Sequence, residues 1–187
     1  MLRSKKRRPR IVEVVEGDYC QTLEKARHFQ EVLTHLQYEG KASWGKNIQR
    51  ARSLANFLTH EMNGHMGKEE QVIFPFLESH IPKLESLISM LCMEHDDYKK
   101  NLASFKALLE RLAKRKSQDV DRLMDKLKEK GMYLIYLLQG HLQEETGILY
   151  KVAERELREN EKQELFQRIQ MTKNPSKIKM GRRYPIE

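Results

Sequence analysis

The chain is poor in residues that break or cross-link a fold: its 187 residues contain five prolines, nine glycines, two cysteines and one tryptophan. Cys20 and Cys92 make no disulfide framework and no thiolate cluster of familiar spacing, so they read as small buried apolar residues. No apolar stretch approaches the roughly 18 residues of a membrane span. The basic start is followed only by "IVEVVEGD", too short and too acidic for a signal-peptide core. A cytoplasmic protein with no membrane partner is expected. There is also no phosphate-cradling glycine loop, no nucleophile–base pair and no basic surface interleaved with aromatics, which argues against hydrolases, kinases and nucleic acid as a primary partner.

The net charge of +8 is concentrated at the ends. Residues 1–10 carry six positive charges and no negative ones, residues 172–187 carry five and one, and the body between them is at about −2. The ends read as solvated arms able to touch an acidic partner.

Leu, Glu, Lys, Ala, Arg and Met abound, and apolar residues recur at three and four, so the chain is all-α. Asp18 is placed as N-cap of a first helix running to about Tyr38. A second runs from about Asn47 to Leu77, bent or ended near Pro75. A third starts with Pro82 in its first turn and continues to about Lys114, and a fourth runs from about Gln118 to beyond Leu157. Short links between long helices imply an antiparallel up-down-up-down four-helix bundle over residues 18–171, with a basic arm at 1–17 and a basic tail at 172–187.

At about 100° per residue, Leu54, Leu58, Val72 and Phe76 fall within roughly 20° of His65, and Glu69 lies about 40° away. His141 sits likewise among Leu134, Ile148 and Val152, with Glu145 about 40° off, and His95 aligns with Leu84, Ile88, Leu91 and Leu102. Three helices each bury a histidine, two with a glutamate four residues on. Counting from turns near residues 80 and 118 puts His65, His95 and His141 at one height, within about 3 Å. Two uncompensated buried carboxylates would cost several kcal/mol each, so something positive must lie between them. Lys99, about 40° from the third stripe, is one candidate. A metal cation is favoured because it explains the imidazoles as well. Nitrogen and oxygen donors without thiolate suit iron, manganese or zinc; two carboxylates from opposite helices suit a bridged pair of metals.

The motifs "HMGKEEQVIFPFL" (65–77), "MEHDDYKKNL" (93–102) and "HLQEETGILY" (141–150) resemble the hemerythrin-like His-His-Glu cation-binding family. The resemblance covers about residues 18–157. It implies a non-haem di-iron centre, with two iron ions held by His28, His65, Glu69, His95, His141 and Glu145, the glutamates bridging. The pattern departs from the oxygen-carrying members at Lys99 and Thr146. It is closer to bacterial proteins for repair of iron centres, though their N-terminal cysteine-bearing domain is missing. Counting from a turn at residue 43 leaves His28 about 10 Å from the height of His65, so Glu24 stays open as the first-helix ligand.

Glu61 is a candidate hydrogen-bond partner for an imidazole. Tyr98, Tyr133 and Tyr136 are candidate donors to a metal-bound ligand, and Gly64, Gly67, Gly140 and Gly147 are candidate spacers near the metals. The expected function is binding of dioxygen, nitric oxide or a related small species at open metal positions, in stress response, sensing or iron handling. An iron-centre repair or peroxide-handling redox enzyme is one alternative; a metal-free interaction bundle with basic arms is another.

Overall fold

The computed structural model describes residues 10–15, 19–39, 43–114 and 120–173. Among these residues every regular element is helical and no strand occurs. A short α1 (Ile11–Val15) precedes α2 (Tyr19–Tyr38). Helix α3 (Trp44–Lys68) passes through a π turn (Glu69–Ile73) into α4 (Phe74–His80), and a 3-10 turn (Pro82–Leu84) opens α5 (Glu85–Ala113). Helix α6 (Val120–Glu144) passes through a second π turn (Glu145–Leu149) into α7 (Tyr150–Glu156), and α8 (Glu159–Lys173) closes the described chain. The expected Asp18 cap, the Cys20 side chain, residues 1–9, the "RKSQD" turn and residues 174–187 lie outside the described residues.

Four long rods position the site. Helix α2 packs on α3 and α6, and α5 packs on the same two helices. Cross-contacts run in opposite chain directions along each adjacent pair: Glu39 with Asn47 and Tyr19 with His65 between α2 and α3, Arg52 with Glu110 and Glu70 with His95 between the second rod and α5, Glu94 with His141 and Asn101 with Lys130 between α5 and α6, and Tyr19 with Glu145 and Leu33 with Gly131 between α2 and the fourth rod. Inward Leu, Ile and Phe at helical spacing fill the space between them, with Phe29 of α2 edge-on to Phe105 of α5 at 5.0 Å. Among the described residues no helix is long and apolar enough to cross a membrane.

The second rod does not stop at Pro75. Proline lacks an N–H and normally breaks the i→i−4 ladder, but here it falls in the first turn of α4, directly after a π turn that has already interrupted that ladder. The chain breaks instead at Ile81, whose φ of −135° and ψ of 74° leave the helical region.

Two elements extend the four rods. Residues 11–15, read from sequence as part of the arm, form a helix whose Ile11 is fully buried; its N–H donates to Glu154 Oε2 at 2.8 Å. The fourth rod ends at Leu157, in extended backbone, and α8 turns back against the π turn of the second rod, burying Leu165 and Ile169. Lys162 of α8 reaches the other oxygen of Glu154 at 2.8 Å, so one carboxylate ties both additions to α7.

The glycine that makes room for helix approach is Gly131. A Cβ there would lie 2.4 Å from Leu33 Cδ1 and 3.2 Å from Phe105 Cε2, whereas at Gly64, Gly67, Gly140 and Gly147 it would meet nothing within 4 Å. Gly131→Leu is therefore expected to destabilise the protein by about 1–3 kcal/mol through overpacking. Gly64→Ala is expected to stabilise it by about 0.5–1 kcal/mol through helix propensity. Denaturant midpoints that fail to move in opposite directions would refute this reading.

Candidate metal centre

The centre forms where three rods carry inward polar side chains at one height. Glu69, Glu145 and His95 are fully buried, and His65 and His141 nearly so. One ligand atom from each of His65, Glu69, His141 and Glu145 lies within 4.8 Å of the others. His95 joins them, with Nε2 3.1 Å from His141 Nε2 and 3.4 Å from Glu69 Oε2.

Each glutamate stands at the start of a π turn. The Phe74 N–H bonds the Glu69 carbonyl and the Tyr150 N–H bonds that of Glu145, both five residues back instead of four. One extra residue per turn rotates everything downstream by about one position. Val72 is consequently half-buried while Ile73 is buried, and Ile148 is exposed while Leu149 is fully buried.

Outer partners fix the imidazoles. His95 Nδ1 donates to Glu70 Oε1 and His141 Nδ1 donates to Glu94 Oε2, each at 2.8 Å. A neutral imidazole that donates through Nδ1 carries a lone pair on Nε2. The two Nε2 atoms lie 3.1 Å apart; the proton that His141 holds without a cation sits on its Nε2, and its loss leaves two lone pairs facing one space. His65 Nε2, Glu69 Oε2 and Glu145 Oε1 are also buried without a hydrogen-bond partner. Their spacings are nonetheless short: 3.2 Å from His65 Nε2 to Glu69 Oε2, 3.3 Å to Glu145 Oε2, and 2.9 Å from His141 Nε2 to Glu145 Oε1. Electron pairs converging in a dry space fit a cation between them, and the nitrogen and oxygen donors suit a first-row divalent or trivalent ion.

Lys99 does not supply that charge. It bonds Glu70 Oε1 at 2.8 Å, on the half-exposed rim. Glu61 is likewise not an imidazole partner; Glu70 and Glu94 fill that role.

His28 is not brought to the cluster. It is half-buried in a surface groove with Val32, Lys46, Arg50 and Leu54, and Glu24 and His35 are exposed. The physical reason is height, because the first-helix residue at the level of the site is Tyr19, nine positions or about 13 Å up the helix from His28. Tyr19 Oη donates to Glu145 Oε2 at 2.7 Å, and its ring lies edge-on to His65 at 5.1 Å. Tyr150 Oη donates to Glu69 Oε1 at 2.6 Å. Among the tyrosines singled out from sequence, Tyr133 bonds Asp97, Tyr136 is exposed and Tyr98 is buried with its hydroxyl unpartnered. Cys92 is a half-buried free thiol.

Electrostatics follow the geometry. Burial, and then the neighbouring Glu145 charge, push Glu69 well above the carboxylate range. Burial also acts to raise Glu145, but His141 and His65 outweigh it and hold this carboxyl ionised, well below that range. For His141 burial acts downward, but contacts with Glu145 and Glu94 prevail and push it up to about 9. His95 is lowered, by burial and then by His141.

Residues 23–153 match the family described as the Hemerythrin HHE cation binding domain. No curated protein matches the chain.

Two tests address the centre. Because folding raises His141 from 6.5 to about 9 in the metal-free protein, the stability it contributes is complete below pH 6.5 and lost as pH rises through about 9. The melting temperature of metal-free protein should fall across that window while cation affinity rises, since uptake displaces the proton; a flat profile in both would contradict this. Glu94→Ala should weaken cation binding by about 10–100-fold by freeing the His141 ring, read by competition with a chelator.

Proposed function

The chain belongs to the hemerythrin HHE cation-binding domain family, and from that premise we propose that it is a non-haem di-iron protein that binds dioxygen, nitric oxide or a related small species. The observation that carries this reading is the set of unpartnered, converging donor atoms on His65, Glu69 and Glu145, joined by the facing Nε2 atoms of His95 and His141.

The contact pattern supports two cations in place of one. Glu145 offers Oε1 to His141 and Oε2 to His65, while Glu69 offers Oε2 to both His65 and His95. Each carboxylate thereby links a His65 end to a His95–His141 end. Three imidazoles and two shared carboxylates do not fill the coordination spheres of two octahedral ions, which leaves open positions of the kind a reactive site requires. When bound, the irons supply Lewis acidity and electrons for holding a small diatomic species.

The protein's own residues set the surroundings. Glu70 and Glu94 orient two imidazoles and raise their basicity, and the apolar stripes of the rods exclude water. The four rods are read as an up-down-up-down bundle, on the strength of their opposed chain directions. The sequence boundary of the core, 18–171, is read as extended by the docked helix α1, which leaves the basic residues before it and those of the tail available to an acidic partner. A cytoplasmic role in stress response, sensing or iron handling fits this chemistry.

Metal analysis of protein purified without chelator should give close to two irons per chain, and its visible spectrum should change under nitric oxide. Glu69→Ala and Glu145→Ala should each abolish iron uptake while the helical circular dichroism persists. Unchanged iron content in both variants, or a single zinc in the parent, would overturn the assignment.

A further inference from the structure

The two ends of the centre are unequally furnished. One holds a pair of imidazoles, His95 and His141, with Nε2 atoms 3.1 Å apart. The other holds His65 alone, because His28 is turned into a surface groove. Helix α2 nevertheless presents a polar atom there. Tyr19 is 5% exposed, and its Oη lies 2.7 Å from Glu145 Oε2, the same oxygen that His65 Nε2 faces at 3.3 Å.

We propose that Tyr19 is a metal ligand, giving its phenol oxygen to the cation that His65 holds, so that the site divides into a His65–Tyr19 end and a His95–His141 end bridged by Glu69 and Glu145. This rests on the di-iron reading above.

Tyr150 is the internal comparison. It too is a buried phenol on a bridging carboxylate, but it bonds Glu69 Oε1, whereas His65 and His95 both face Glu69 Oε2. Tyr150 therefore meets its carboxylate through the oxygen that faces neither imidazole, and orients it. Tyr19 stands on the side where the imidazole lone pair points. The 2.7–3.3 Å spacings among Tyr19 Oη, Glu145 Oε2, His65 Nε2 and Glu69 Oε2 are those of neighbouring donors around one six-coordinate ion. The edge contact between the Tyr19 and His65 rings, 5.1 Å between centroids, fixes the two donors side by side. Coordination exchanges the phenol O–H bond for an oxygen–cation bond; the proton leaves to bulk solvent and no electron moves.

The test uses the full chain loaded with ferric iron. A phenolate on iron gives a visible charge-transfer band and enhanced ring vibrations in resonance Raman spectra. Both are expected in the parent and in Tyr150→Phe, and both should be lost completely in Tyr19→Phe at an iron content near the parent's. Ring-deuterated tyrosine in the parent should shift the enhanced vibrations, which tests for a phenolate without relying on a variant that folds. Two irons per chain with no phenolate bands, or bands that survive Tyr19→Phe, would overturn the ligand role and leave the di-iron reading standing. No iron uptake by the parent would overturn both.

Discussion

The structure depends on nitrogen and oxygen donors that crowd together from separate rods in a dry interior. Two carboxylates and three imidazoles come together from separate rods in an interior where each isolated charge would cost several kcal/mol. The protein does not relieve this with a lysine, since Lys99 is tied to Glu70 at the rim. In the metal-free state it copes by keeping Glu69 protonated and His141 charged, an internal compromise between one neutral acid and one cationic base. A cation seated among them would replace that compromise, so the same residues are costly as packing and sensible as ligands.

The supporting fold is arranged around this need. Glu69 and Glu145 each open a π turn, so the helix is widened where the side chain reaches the centre, and Tyr150, at the end of the second π turn, is delivered onto Glu69. Helix α8 covers the first π turn from outside, and the Arg168 guanidinium rests over the Phe76 ring at 5.2 Å. A locally weakened backbone ladder is thereby shielded from water. Gly131 lets α2 approach α6 closely one bundle layer away, and Tyr19 enters at the start of that same α2.

Much of this was legible in sequence. Helical spacing placed His65, His95, His141 and the two glutamates inward, and residue counting set them at one height. A constant 100° per residue has no means of registering the residue that each π turn inserts: Phe76 is buried as expected, but Ile148 was expected inside and Leu149 takes its place. His28 enters only through family likeness, against a height mismatch visible in the residue count, and the structure puts it in a surface groove. Counting from the same turn reaches about residue 21 at the level of His65, two positions from Tyr19. Tyr19 carries no signal of its own in the periodicity, since a tyrosine on an apolar stripe reads as core. Glu70 and Glu94 adjoin singled-out residues in the chain, yet whether a neighbour reaches an adjacent rod depends on packing that periodicity does not encode.

Glu70 links the buried centre to its outside. Its carboxylate is partly exposed, holds the Lys99 ammonium and accepts the His95 N–H through the same oxygen. Dissolved ions that screen the Lys99–Glu70 attraction would leave more electron density for His95, and so alter how strongly that ring donates to whatever it grips. The dry interior is therefore in electrical communication with the surrounding medium, and the salinity of that medium becomes one of the settings of the site.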